Sequence, residues 1–105
     1  MQPGRQKVEP LLAIMTAQPV IPVLKIERAK DAAPLARALA RGGLPAVEIT
    51  LRTPAALEAI RAVAADVPEA TVGAGTVLDA RQFDEAAAAG ARFIVSPGFT
   101  RGLAE

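Results

Sequence analysis

Gly43-Leu44-Pro45-Ala46-Val47-Glu48-Ile49-Thr50-Leu51-Arg52 is an apolar run into which a carboxylate, a hydroxyl and a guanidinium enter within five positions. Ionisable groups rarely enter such a run unless they are paired or used. If the run is a strand, alternate residues share a face, so Glu48, Thr50 and Arg52 point the same way. Three polar side chains converging at the end of one buried strand have the make-up of a site floor.

Outward from this strand, the sequence reads as a regular alternation. Val20 to Leu24 reads as a buried strand whose Pro22 demands an edge position or a missing ladder bond. From about Arg28 to Arg41 alanine and leucine recur at helical spacing, and Gly42-Gly43 supplies the stop. Pro34 sits most easily in the first turn of a helix, so the helix is expected to start later than Arg28. After the Pro45–Leu51 strand, Thr53-Pro54 offers an N-cap hydroxyl and a proline for the next helix. Leu57, Ile60, Val63 and Ala64 mark its buried face, and Val67-Pro68 ends it. Ala70 to Ala74 is a third strand. Asp79-Ala80-Arg81-Gln82 has the form of a capping box for a helix running to Gly90. Arg92 to Val95 is a fourth strand, broken by Ser96-Pro97-Gly98. Upstream, about residues 7–17, Val8, Leu11, Leu12 and Met15 predict a helix that closes the bottom of the core. Downstream, Thr100 begins another.

Four strands separated by helices predict a parallel α/β sheet, buried on both faces. Two architectures fit: a complete open doubly wound sheet, or half of a (β/α)8 barrel with unpaired outer strands. The sequence reaches Glu105 just as a helix starts, which favours the incomplete barrel, a single N-terminal portion over residues 1–105.

Composition narrows the chemistry. The 105 residues contain no cysteine and no histidine, which excludes thiolate nucleophiles, zinc–thiolate clusters, Ser-His-Asp triads and imidazole acid–base work. Any catalysis must use carboxylates, lysines, hydroxyls or backbone dipoles, and no metal site is expected. Three phenylalanines, no Trp or Tyr, and a formal charge of +1 leave neither a stacking platform nor a basic field, so no nucleic-acid partner is expected. No apolar run approaches the roughly 20 residues that span a bilayer. The opening MQPGRQKVEP lacks a signal-peptide core. A cytoplasmic protein without a membrane partner is expected.

Polar clusters recur at the carboxyl ends of all four strands: Lys25, then Glu48/Thr50/Arg52, then Gly73-Ala74-Gly75-Thr76, then Ser96-Pro97-Gly98. That is the end at which parallel α/β folds build their sites. Each element has two readings. Glu48 is either half of a structural ion pair with Arg52 or Lys25, or a general base tuned by apolar surroundings. Arg52 is a surface charge or a bidentate grip on a substrate carboxylate. Thr76 caps a turn or orients that carboxylate. Gly73-Ala74-Gly75 is a poor dinucleotide fingerprint, because Leu78 replaces the third glycine. The glycines are expected to let the backbone turn closely beside a bound ligand.

Together these blocks resemble the 2-keto-3-deoxy-6-phosphogluconate / 4-hydroxy-2-oxoglutarate aldolase family. Gly43-Leu44-x-x-x-Glu48-Ile49-Thr50-Leu51-Arg52 fits its first signature, and Val72-Gly73-Ala74-Gly75-Thr76-Val77-Leu78 and Ser96-Pro97-Gly98 fit the next two in order. The resemblance implies a class I lyase: a lysine Schiff base on the keto carbon, no cofactor, and a small 2-keto acid as partner, cleaved to pyruvate and an aldehyde. It also implies a homotrimer. Carried over by motif, Glu48 is the general acid/base, and Arg52, Thr76 and Pro97 bind the substrate carboxylate or line its pocket. The family's Schiff-base lysine lies in a Lys-[Leu/Phe]-Phe-Pro block that this sequence does not contain, and its glycine-rich phosphate site on still later strands is also missing. Lys7, Lys25 and Lys30 match no position of that block; Lys25 comes nearest. The chain therefore resembles the N-terminal half of such an aldolase and is expected to be nearly inactive alone. The rival is a non-catalytic half-barrel that self-associates at its edges and at most binds 2-keto acids.

Overall fold

Sequential strand order decides between the two architectures. A computed structural model describes residues 20–96. Its four strands are β1 (Val23–Leu24), β2 (Ala46–Thr50), β3 (Thr71–Gly75) and β4 (Phe93–Ile94), all parallel and hydrogen-bonded in the order β1-β2-β3-β4. Between them run α1 (Ala32–Arg41), entered through a 3-10 turn at Ala29–Asp31, α2 (Ala56–Asp66) and α3 (Ala80–Ala89). A doubly wound sheet needs a reversal in strand order, where the connections change sides. None occurs among the described residues. Right-handed crossovers between successive neighbours put every helix on one face, as in a barrel wall.

The core lies on that helical face. Val47 and Ile49 of β2 and Val72 and Ala74 of β3 pack with Ala32 and Ala36 of α1, Ala56, Ala59, Ile60 and Val63 of α2, and Ala86 and Ala89 of α3. Burying each of the larger aliphatic side chains contributes about 1.5–3 kcal/mol. Alanine at the helix contacts lets α1, α2 and α3 lie close against the sheet and one another. The α2 stripe differs from expectation. Ile60 and Val63 are buried and Leu57 is half-buried, but Ala64 is exposed; Ala56, Ala59 and Val67 complete the buried side instead. The helical period carries position 64 round to the flank, where it faces Gly90.

Helix ends follow backbone chemistry closely. Pro34 stands at the third position of α1, inside the first turn, where its missing N–H has no helical partner to lose. Gly43, at φ 95°, closes α1. Its N–H donates to Ala40 O at 3.1 Å, and Leu44 N–H donates to Leu39 O at 2.9 Å. Asp79 caps α3 by accepting from Gln82 N–H at 2.8 Å. The Gln82 side chain in turn accepts from the N–H of Leu78 at 2.7 Å. That donor lies one residue before the one a regular capping box uses. Thr53 does not cap α2. Its hydroxyl donates instead to the Ile26 carbonyl at 2.5 Å, tying the segment after β2 to the segment after β1, and α2 starts at Ala56 without a side-chain cap. The strand expected to be buried over residues 20–24 is shorter and more open: β1 is Val23–Leu24, and Val20 and Val23 are exposed because β1 is an outer strand among the described residues. Pro22 precedes the ladder, and its carbonyl accepts from Glu48 N–H at 2.9 Å. The expected helix near residues 7–17, the helix from Thr100, and Pro97 lie outside the described residues.

Candidate active site

The face of the sheet opposite the helices carries the polar residues. Alternation along β2 sends Val47 and Ile49 into the helical core and leaves Glu48 and Thr50 on the other side. Arg52 follows in the turn just past the strand. An open cleft of about 270 Å³ gathers Glu48, Thr50, Arg52 and Thr76 with Val23, Lys25 and Val95. The three polar residues of the opening decapeptide share one cavity: alternation places Glu48 and Thr50 there, and the turn after β2 brings Arg52.

Among the described residues Glu48 stands without a charged partner. No ion pair or side-chain hydrogen bond joins it to Arg52 or Lys25 among the described residues; Lys25 instead meets Glu27 at 3.7 Å. The structural ion pair is thus not what holds Glu48 in place. Its half-buried carboxyl has its proton affinity raised above the ordinary carboxylate value by loss of water on burial. Gly75 explains its position. A Cβ on Gly75 would fall 2.7 Å from Glu48 Cδ and collide with its carboxylate oxygen. The carboxyl therefore lies directly over bare backbone, which only glycine leaves open.

That contact corrects the expectation for the glycine block. Gly73 and Gly75 belong to strand β3 and not to a turn, and neither adopts positive φ. Side chains from neighbouring strands fill the room they leave. The Phe93 ring of β4 crosses Gly73, and the Glu48 carboxyl of β2 crosses Gly75. What comes near the backbone is the chain itself.

Thr76, the first residue after β3, has φ 58°. That left-handed conformation is costly for a β-branched side chain. Its hydroxyl lies 2.8 Å from that of Thr50, which is 5% exposed. Either hydroxyl can donate, so one lone pair or one proton of the pair stays available to a ligand. Arg52 is exposed at the cleft and makes no ion pair among the described residues, leaving its guanidinium fork open for a carboxylate.

The structure therefore brings together Glu48, Arg52 and Thr76 from the expected set, while Pro97 falls outside the described residues. Sequence reasoning placed Thr50 on the right face but gave it no role of its own; its partner across the strands is visible only in three dimensions. Val23 and Val95 were missed as lining residues. Their signal was phase: Val23 pairs in register with Glu48, and Val95 lies two residues beyond Phe93. Among the described residues no group of three or more acidic side chains could hold a metal ion, and no helix is long and apolar enough to cross a membrane.

Comparison with known proteins agrees with this geometry. Residues 11–105 match the family described as KDPG and KHG aldolase. The KHG/KDPG aldolase of Escherichia coli K12 is 50% identical over 91 residues, covering 87% of this chain and 43% of its own length. The 2-dehydro-3-deoxy-phosphogluconate aldolase of Zymomonas mobilis is 55% identical over 91 residues, with 87% of this chain and 43% of its own length covered. A crystal structure of the 2-keto-3-deoxy-6-phosphogluconate aldolase of Zymomonas mobilis ATCC 29191 superposes with a TM-score of 0.80 at 56% identity, over 84% of this chain and 42% of that one. The KDPG aldolase of Legionella pneumophila, captured with pyruvate as a covalent carbinolamine, gives 0.82 at 47% identity, over 98% of this chain and 46% of that one. The chain spans less than half the length of each of these relatives.

Proposed function

This chain belongs to the KDPG and KHG aldolase family, and from that premise we propose that it supplies the acid/base and carboxylate-binding half of a class I aldolase barrel. The substrate is 2-keto-3-deoxy-6-phosphogluconate, cleaved to pyruvate and glyceraldehyde 3-phosphate, or 4-hydroxy-2-oxoglutarate, cleaved to pyruvate and glyoxylate. The observation that carries the reading is a desolvated Glu48, without an ion-pair partner among the described residues, in one cleft with Arg52 and Thr76. The working enzyme is a cytoplasmic homotrimer without cofactor.

In this mechanism a lysine from a Lys-[Leu/Phe]-Phe-Pro block, outside this sequence, condenses with the C2 carbonyl to give an iminium. Arg52 holds the adjacent carboxylate by its fork, and the Thr50–Thr76 pair fixes the remaining oxygen. Glu48, acting through water, takes the proton of the C4 hydroxyl as the C3–C4 bond breaks. The bonding electrons pass into the iminium, forming an enamine. Protonation of C3 by Glu48 and hydrolysis then release pyruvate. A carboxyl with raised proton affinity suits both halves of this exchange, since it must accept and return the same proton.

Two measurements test the reading. Borohydride with pyruvate should leave the isolated chain unmodified; a reduced adduct on Lys7, Lys25 or Lys30 would move the nucleophile into this half. Mixing the chain with a separately made second half of a family barrel should restore pyruvate release, and Glu48→Gln should then lower the rate by roughly 10²–10⁴-fold. Identity of 50% over 91 residues to a KHG/KDPG aldolase favours this reading over a self-associating half-barrel without chemistry.

A further inference from the structure

The cleft contains a second cation that the proposed chemistry does not use. Lys25 lies two residues beyond Val23, whose partner across the ladder is Glu48, so continued register sets Lys25 level with Thr50 on the neighbouring strand. It lines the same cleft as Arg52. Arg52 lies in the turn that follows β2, so the two cations enter the cleft from the ends of neighbouring strands. Lys25 is held only loosely: its Nζ meets Glu27 Oε1 at 3.7 Å, with the two side chains 63% and 71% exposed. Such a pair contributes little, and an incoming anion can replace Glu27 at low cost.

We propose that Lys25 is a second anion-recognition point of the cleft, reading the far acidic group of a 2-keto acid whose carboxylate is held by Arg52. The inference rests on the assignment of Arg52 as the keto-acid carboxylate site. Its consequence is selectivity: ligands with a carboxylate or phosphonate at the far end bind better than ligands of equal length ending in a methyl group. Glu27 competes for the same ammonium and tempers that preference. Arg52 and Lys25 divide the work, one reading the feature common to all 2-keto acids and the other the feature that separates them.

The test titrates the full isotope-labelled chain, followed by NMR shifts, with 2-oxoglutarate, with its phosphonate isostere 4-phosphono-2-oxobutyrate, and with 2-oxopentanoate as the uncharged-end control. The wild type should prefer the two dianions by about three- to fivefold, the scale of an exposed charge contact. Lys25→Met should bring the ratio close to one, Glu27→Gln should increase it, and added salt should reduce it. Both side chains are exposed, so neither substitution disturbs the core. Preference for one dianion alone identifies which acid the site reads. A wild-type ratio near one, or a preference that survives Lys25→Met, overturns the role of Lys25 while leaving Arg52 intact. If none of the three ligands binds the wild type, the carboxylate site itself is wrong and Lys25 falls with it.

Discussion

Glu48 is where stability and chemistry oppose one another. Its proton affinity is raised in the folded state, so ionising it costs more there than in the unfolded chain. The contribution to stability is fully present below the ordinary glutamate range and is lost as pH rises through the raised value. Glu48→Gln should therefore raise Tm at pH 7–8, with the advantage vanishing towards pH 4 in thermal melts; a larger gain at pH 4 than at pH 8 would contradict the desolvation argument. Gly75 belongs to the same argument. Gly75→Ala puts a methyl group where the carboxyl lies, so Glu48 must swing away or the strands must part. The complemented enzyme should lose at least tenfold in rate, because a displaced base forfeits part of the roughly 10²–10⁴-fold it supplies. Thr50→Val leaves the Thr76 hydroxyl without its partner in a strained backbone. It should cost about 1 kcal/mol in urea unfolding and weaken 2-keto acid binding in the same titration.

Elements were legible where local chemistry alone fixes them. Glycine closes α1 and α3, Asp79 caps α3, and the alternation of β2 is written in its residue types. Thr53 shows where such reading stops. A hydroxyl before proline is an excellent cap on local grounds, yet the Ile26 carbonyl, distant in sequence, accepts its hydrogen bond. The glycines of β3 show the same limit, since only the strands on either side reveal what needs their missing Cβ. Two glycines at helix ends give a graded test. Gly43 has nothing within 4 Å of a built Cβ, whereas one on Gly90 would meet the Ala64 Cβ at 2.7 Å, and both have positive φ. Gly43→Ala should cost about 1–2 kcal/mol from backbone conformation alone. Gly90→Ala should cost more, as chemical denaturation of the two variants would show.

Across the whole molecule, strand order carries the architecture, and it was the part that sequence left open between two folds. Periodicity yields strands and helices but not which strand lies beside which; neighbouring-strand hydrogen bonds alone decide that. β2 and β3 are bonded on both sides, while β1 and β4 are outer strands of two residues each among the described residues. Amide hydrogen exchange should accordingly be slowest in residues 46–50 and 71–75 and faster in β1 and β4. Equal protection of all four strands would mean that the outer pair is covered by further pairing.

The alternation that sends Val47 and Ile49 one way and Glu48 and Thr50 the other has an evolutionary corollary. Neighbouring codons answer to different selective pressures, one set for holding the wall together and the next for what happens inside it. A lineage can retune its reactivity by changing every second residue without renegotiating its folding, and mutational tolerance along β2 should oscillate with a period of two.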